Sequence, residues 1–471
     1  MFSAELRQHW VGQGLFHSGL IDFNNKFFRY VYDCGAYKKK NIRRTYPAYL
    51  RVNPSKKLDA LFISHLDSDH VNGLGELLKH TRGARHVFLP YIPRKVRQVM
   101  ALQEYERLNA AGADMADYGD YWTFMQNPLD WFDERGRADE VIFLMRRAEG
   151  DGKTGDTPAK TPPDSASKKS RLPEFIIPEN GIVPDEILKE VSDGKPENAK
   201  AKWLNGRQVL EVRFTEEYRW LFALFYDDNF EIAENIYTAI ANILHDRKKE
   251  DWESGKMKVE DMLKLDLKEV RQAFQSVLEK NPPSVESGCD RSPMNYGSLC
   301  LFSGCRISHA AVKEPPSSTA GNPLYGRKQY WLIHDGMSSA HERMLGLLNP
   351  VLSGWLLTGD SVLSDENYRK EFIEWYKNVG SKHNLLAATH TFTVPHHGSK
   401  KNFDGEALSE LAAAGLSMGQ CVAVIPAGNW NPSKWGHPNT EVLQALNEKN
   451  ISWVHMHEYR GSDYITILRA F

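Results

Sequence analysis

The run Ile63-Ser64-His65-Leu66-Asp67-Ser68-Asp69-His70 constrains this chain more than any other part of it. Two imidazoles and two carboxylates crowd one short window, directly after Leu58-Asp59-Ala60-Leu61-Phe62-Ile63, an apolar run of buried-strand type. A loop leaving a buried strand is where α/β proteins place their chemistry. Imidazole mixed with carboxylate suits a cluster of divalent cations better than a solvated polar cap.

With 471 residues, 41% hydrophobic and 25% charged, the chain has the make-up of a globular protein large enough for several domains or one domain with insertions. No apolar run reaches membrane-spanning length, and Met1-Phe2-Ser3-Ala4-Glu5-Leu6 lacks a signal-peptide core, so no membrane association is expected. Cys34, Cys289, Cys300, Cys305 and Cys421 are odd in number and lack metal-knuckle spacing; reduced thiols and a cytoplasmic location are the expectation.

The net charge of −2 is unevenly spread. Lys38, Lys39, Lys40, Arg43, Arg44, Arg51, Lys56 and Lys57 occur with no acidic residue between Ala36 and Lys57, and Tyr37, Tyr46 and Tyr49 are interleaved with them. Such a segment reads either as an ordinary solvated loop or as a phosphate-tracking surface with stacking rings.

Strand-like runs occupy residues 8–33 and return at Ser298-Leu299-Cys300-Leu301-Phe302 and Gln329-Tyr330-Trp331-Leu332-Ile333. Between them, residues 148–172 are rich in Gly, Pro, Ser, Thr, Asp and Lys, as flexible loops are. Two helices are predicted from the spacing of Phe230, Ala233, Ile236, Ile240 and Ile243, and of Leu263, Leu267, Val270, Phe274 and Val277. The reading is three parts: residues 1–90, an insertion over 91–290 that is partly flexible and otherwise helical, and residues 291–471.

The second half repeats the strand-then-ligand pattern. Trp355-Leu356-Leu357-Thr358-Gly359 delivers Asp360, and Thr393-Val394-Pro395 delivers His396 and His397 before Gly398-Ser399. Val422-Ala423-Val424-Ile425 leads to Ala427-Gly428-Asn429 and then Gly436-His437-Pro438. Adjacent histidines before Gly-Ser at a strand end favour a site; His437 is a weaker candidate, and His455 and His457 read as ordinary strand residues.

Taken in order, Val11-Gly12-Gln13-Gly14, Asp33-Cys34-Gly35, Ser64 to Gly73, Asn295-Tyr296-Gly297-Ser298-Leu299, Leu357 to Asp360, Pro395 to Ser399 and Gly436-His437-Pro438 resemble the metallo-β-lactamase superfamily. The branch they resemble contains the nuclease-like domain of the DNA-uptake protein ComEC; the membrane part of ComEC and a counterpart to 91–290 are absent. The resemblance implies an αββα sandwich carrying a large, mainly helical insertion. It also implies a dinuclear site, with His65 and Asp67 on one ion, Asp69 and His70 on the other, Asp360 bridging, and His437 completing the second.

In this scheme Asp69, His396 and His397 are the catalytic candidates, while Lys38, Lys39, Lys40, Ser399 and Lys400 would contact substrate. The superfamily's usual third histidine, expected between residues 70 and 360, is not obvious; His309 and His334 are candidates, and the branch resembled commonly lacks it. The two divalent ions would be zinc or manganese, with magnesium an alternative. The implied function is metal-assisted hydrolysis of a phosphodiester by a sequence-nonspecific nuclease, DNA being favoured through the ComEC resemblance. Other readings are a small-molecule phosphodiesterase, for a cyclic nucleotide or phosphorylcholine ester, and a partner-controlled effector of bacterial antiviral defence that docks a protein through 91–290.

Overall fold

In the computed structural model of this chain, Leu58–Phe62 is a strand buried at every position. It lies between two parallel neighbours and beneath a second sheet, which is why its five residues carry no polar-out alternation. The structure describes residues 2–53, 56–110, 112–146, 173–178, 180–192, 201–215, 218–228, 230–244, 246–254, 257, 261, 265, 267–280, 297–307, 330–331, 354–379, 384–428, 436–458 and 463–470. The loop expected over 148–172, together with His309 and His334, lies outside these residues.

In chain order the strands are β1 (Phe2–Gln8), β2 (Phe16–Phe23), β3 (Lys26–Cys34), β4 (Leu58–Phe62), β5 (Ala84–Pro90), β6 (Ala138–Met145), β7 (Glu174–Ile176), β8 (Gly181–Ile182) and β9 (Ala201–Asn205). There follow β10 (Gln208–Arg213), β11 (Tyr218–Phe225), β12 (Cys300–Ile307), β13 (Tyr330–Trp331), β14 (Gly354–Leu357), β15 (Thr389–Thr393), β16 (Val422–Ile425), β17 (Ser452–His455) and β18 (Tyr464–Ala470). One sheet runs β13-β18-β1-β2-β3-β4-β5-β6-β9-β8, the other β17-β16-β15-β14-β12-β11-β10-β7.

Their inner faces share one core, in which Tyr30, Phe62 and Phe88 meet Trp220, Phe222 and Trp355. Helices cover both outer faces. α1 (Lys39–Val52), α2 (Ser68–Val71), α3 (Leu74–Thr81) and α4 (Arg94–Ala110) belong to the layer on the first sheet, and the helices Glu366–Lys377, Gly405–Ala413 and Thr440–Glu448 pack on the second. The architecture is the αββα sandwich of the metallo-β-lactamase fold, with additional helices. Among the described residues no helix is long and apolar enough to cross a membrane.

The span 91–290 supplies more than helices. β6, β8 and β9 extend the first sheet and β7, β10 and β11 the second, while Glu231–Ile243 and Leu267–Lys280 pack against each other beside α4. The predicted amphipathic stripes are the faces they bury: Ala233, Ile236 and Ile240 on one, Val270 and Val277 on the other.

The interleaved tyrosines require a correction. The basic segment forms α1, and Ile42, Tyr46 and Tyr49 follow helical spacing into the core, so neither ring can stack on a base. Tyr46 donates its hydroxyl to the Gly73 carbonyl at 2.5 Å, tying α1 to the loop after the His-Asp motif. Tyr37 alone is half-buried rather than enclosed.

β18 closes the first sheet against β1, pinned by a buried carboxylate. Asp463 receives Arg7 Nη1 at 2.9 Å and lies 3.1 Å from His9 Nδ1, whose other nitrogen is 2.9 Å from Ser18 Oγ. Burial would raise the Asp463 pKa, but His9 and then Arg7 outweigh it and hold it at about 2, below the ordinary 3.8. A carboxylate depressed in the folded state stabilises above its unfolded value and stops doing so as pH falls through the folded one. About 2 kcal/mol is therefore expected to disappear between pH ~4 and ~2. Acid titration of thermal stability checks this; Asp463→Asn should remove that part of the pH dependence.

Candidate metal centre

The candidate residues converge at the C-terminal ends of parallel strands in both sheets. β4 leads into the loop and short helix bearing His65, Asp67, Asp69 and His70; β14 delivers Asp360; β15 delivers His396 and His397. Backbone groups from all parts of the fold fix these loops. Asp69 offers its carbonyl to Leu15 N at 3.2 Å, and Asn72 clamps Ala36 with hydrogen bonds at both N and O. A Cβ on Gly35 would stand 2.4 Å from the Asp69 backbone, so only glycine permits this approach. Asp360 N donates to Ser298 Oγ at 3.0 Å, and its carbonyl accepts from Asn402 at 3.0 Å.

Three imidazoles share one arrangement. Each has Nδ1 engaged in the supporting shell: His65 with Ser64 Oγ at 2.8 Å, His70 with Asp33 Oδ2 at 2.9 Å, and His397 donating to the Pro426 carbonyl at 2.6 Å. Each is thereby left with Nε2 directed at a carboxylate of the cluster. His70 Nε2 lies 3.3 Å from Asp360 Oδ1, His65 Nε2 3.6 Å from Asp360 Oδ2, and His397 Nε2 3.4 Å from Asp69 Oδ2. His396 and His397 adopt φ of 45° and 57°, a left-handed conformation costing ~1–2 kcal/mol for each non-glycine residue. It is held by His396 N donating to Gly359 O at 3.1 Å and by the Pro426 bond, and it brings both rings to the cluster.

Electrostatics follow from burial and crowding. Burial, and then the neighbouring His70, push His65 down to about 3. Burial, then Glu104 and the carboxylates of Asp69 and Asp360, raise Asp67 to about 8. Burial would also raise Asp69 and Asp360, but the surrounding histidines, with Arg107 at Asp69, hold both well below the usual carboxylate range. His70 lies between Asp360 and Asp33, and these overcome burial and hold its pKa well above the usual imidazole value.

Whether metal ions fit is decided by atoms left without partners. Among the described residues, the buried His65 Nε2, His70 Nε2 and Asp360 Oδ1 make no well-aligned hydrogen bond, although the last two face each other at 3.3 Å, a costly state unless something else binds them. His65, His70 and Asp360 bring one ligand atom each to within 4.8 Å of one another, and so do Asp69, His70 and His397. The nitrogen and oxygen donors suit zinc and manganese alike.

Residues 18–139 match the metallo-beta-lactamase superfamily. This match agrees with the αββα architecture, which is that of the metallo-β-lactamase fold. The match contains Asp33 and the whole His65–His70 motif; Asp360, His396 and His397 come from beyond it. No curated protein sequence matches this chain. Among solved structures, it is similar to a long form of RNase Z from yeast, at 7% identity and a TM-score of 0.29, covering 91% of this chain and 36% of that one.

The grouping within the site differs from the one implied by the motifs. His70 belongs to both sets of convergent ligands, and His397 joins Asp69. Asp67 lies 3.7 Å from His65 Nε2 but outside both sets, its side chain partly open to solvent. His437 is outside as well: its ring stands 5.7 Å from that of His396, and its buried Nδ1 has no hydrogen-bond partner among the described residues. Among the substrate candidates, Lys38 pairs with Glu458 at 3.7 Å, Lys39 donates to the Asp117 carbonyl, and Lys40 is exposed. Ser399 is buried, and Lys400 pairs with Glu441 at 2.7 Å.

Asp33 emerges as a residue that the sequence marked only as a motif letter. Its carboxylate accepts from Ser64 N at 2.7 Å and Ser64 Oγ at 2.5 Å, and it orients His70. Carboxylates behind ligating histidines typically govern metal affinity by tens of fold. Asp33→Asn should weaken metal affinity roughly ten- to a hundredfold while preserving the fold, as measured by competition with a chelating dye.

Proposed function

We propose that this protein is a dinuclear metal-dependent phosphodiester hydrolase acting on nucleic acid as a sequence-nonspecific nuclease, with DNA the favoured substrate. The observation that carries the reading is the pair of buried ligand sets that share His70, one containing His65 and Asp360, the other Asp69 and His397. Two ions held there would act as Lewis acids, activating water and neutralising charge on an in-line displacement.

The chain's own residues do the rest. His65, His70, Asp69, Asp360 and His397 would hold the ions, with Asp67 beside them at 3.7 Å from His65 Nε2. His396, whose side chain is 27% exposed and whose Nε2 lies 3.7 Å from Asp360, would give a proton to the departing oxygen, a role for which the phosphodiester's charge would have to offset the lowering of its pKa by burial. The substrate class is supported by the ComEC-like motifs and by α1, which presents Lys40, Arg44 and Arg51 to solvent. Exposed cations of this kind provide sequence-independent attraction to phosphates.

The test compares supercoiled plasmid, a single-stranded oligonucleotide and bis(p-nitrophenyl) phosphate under manganese, zinc and magnesium. Cleavage of both nucleic acids with steep salt dependence supports the nuclease reading. Turnover of the small diester alone replaces it with a small-molecule phosphodiesterase.

A further inference from the structure

The helical layer sends one guanidinium to the metal cluster. Arg107, near the end of α4, places Nη2 3.1 Å from Ser68 Oγ, the side chain between Asp67 and Asp69 in the motif. Glu104, one turn earlier and only 6% exposed, grips the same guanidinium through Nε at 2.6 Å and Nη2 at 2.5 Å. Its plane lies over the ring of Tyr37, 4.8 Å from the centroid. These contacts fix the direction of a side chain that would otherwise lose considerable rotamer freedom on binding anything. They leave Nη1 without a hydrogen-bond partner among the described residues, on a side chain that is 28% exposed.

A brace for the motif loop would need only the Ser68 contact. A guanidinium whose Cζ lies over an aromatic ring, clamped by Glu104 through Nε and Nη2 and with Nη1 unengaged among the described residues, beside the motif that carries Asp67 and Asp69, is suited to receive an oxyanion. We propose that Arg107 is a substrate-binding residue: its Nη1 edge donates to a non-bridging oxygen of a substrate phosphate, fixing the diester against the metal cluster. The proposal rests on the phosphodiester reading above and gives α4 a part in the site. Lysine cannot replace it fully, because a single ammonium lacks the planar fork that Glu104 and Tyr37 hold in place.

The test uses the full metal-loaded chain as wild type, Arg107→Lys and Arg107→Met. It measures kcat and KM on bis(p-nitrophenyl) phosphate and on a single-stranded oligonucleotide, and inorganic phosphate binding by calorimetry. Arg107→Met should raise KM and the phosphate dissociation constant roughly ten- to a hundredfold, the range of a lost charge-assisted hydrogen bond, with kcat much less affected. Arg107→Lys should fall between, and it serves alone should the methionine variant fail to fold.

Unchanged KM and phosphate affinity in an active protein would overturn the proposal. So would a loss of kcat that tracks a loss of bound metal, which would make Arg107 only a brace for Ser68. Should the wild type hydrolyse no phosphodiester, the functional reading fails by itself. Phosphate binding then decides about Arg107: equal affinity in wild type and variant removes the anchor too.

Discussion

Asp360→Ala should lose at least roughly a thousandfold in turnover of a phosphodiester while keeping its fold. The size of the effect follows from position. Asp360 lies between His65, His70, His396 and His397, with separations of 3.3–3.9 Å, and is the carboxylate that faces all four. Losing a single electrostatic stabiliser of a transition state already costs ~10²–10³ in rate, and this change also removes a ligand. The fold should survive because the backbone at this turn is held independently, by Ser298 Oγ, by Asn402 and by the Thr358–Thr393 hydrogen bonds between strand ends. Circular dichroism and kinetics on Asp360→Ala and Asp360→Asn check both halves. Near-wild-type turnover in either variant would remove Asp360 from the site.

Removing metal should destabilise the protein as well as silence it. The cluster collects Asp67, Asp69, Asp360 and Glu104 around three buried imidazoles, so cations would relieve carboxylate repulsion and satisfy the Nε2 atoms of His65 and His70. A ligand at a hundredfold excess over its Kd stabilises the folded state by about 3 kcal/mol per site. Chelation should therefore lower Tm by several degrees and manganese or zinc should restore it. Asp360→Ala, having lost its ligands' common partner, should show a much smaller shift. A Tm indifferent to chelator in a protein first shown to contain metal would contradict this picture.

Much of the site could be read before folding because strand and ligand are neighbours in sequence. The apolar runs Leu58–Phe62 and Trp355–Leu357 end where their polar clusters begin, and those ends meet in space. What could not be read depended on distance along the chain. Nothing local distinguishes Arg107 from other helix cations; its meaning comes from Ser68, thirty-nine residues earlier. Asp33 stood in plain view as a motif, yet its partnership with His70 needed the fold to join β3 to the loop after β4.

The basic segment illustrates the opposite error. Ile42, Tyr46 and Tyr49 have helical spacing, but the cations around them drew attention to the surface and Pro47 disguised the helix. Burial of the tyrosines leaves α1 as a charged helix whose aromatic side serves the core. Similarly, the buried runs in β6 and β11 lay within a span read as helical, because a strand that joins a distant sheet carries no local sign of which sheet it joins.

The most direct test of the central claim is to titrate metal-free protein with manganese while following hydrolysis of a phosphodiester and counting bound ions. The account predicts no turnover without metal and a rise that completes as two ions bind per chain, with activity abolished by chelator and recovered on reloading. A folded chain that binds its ions fully and hydrolyses neither nucleic acid nor bis(p-nitrophenyl) phosphate would contradict it.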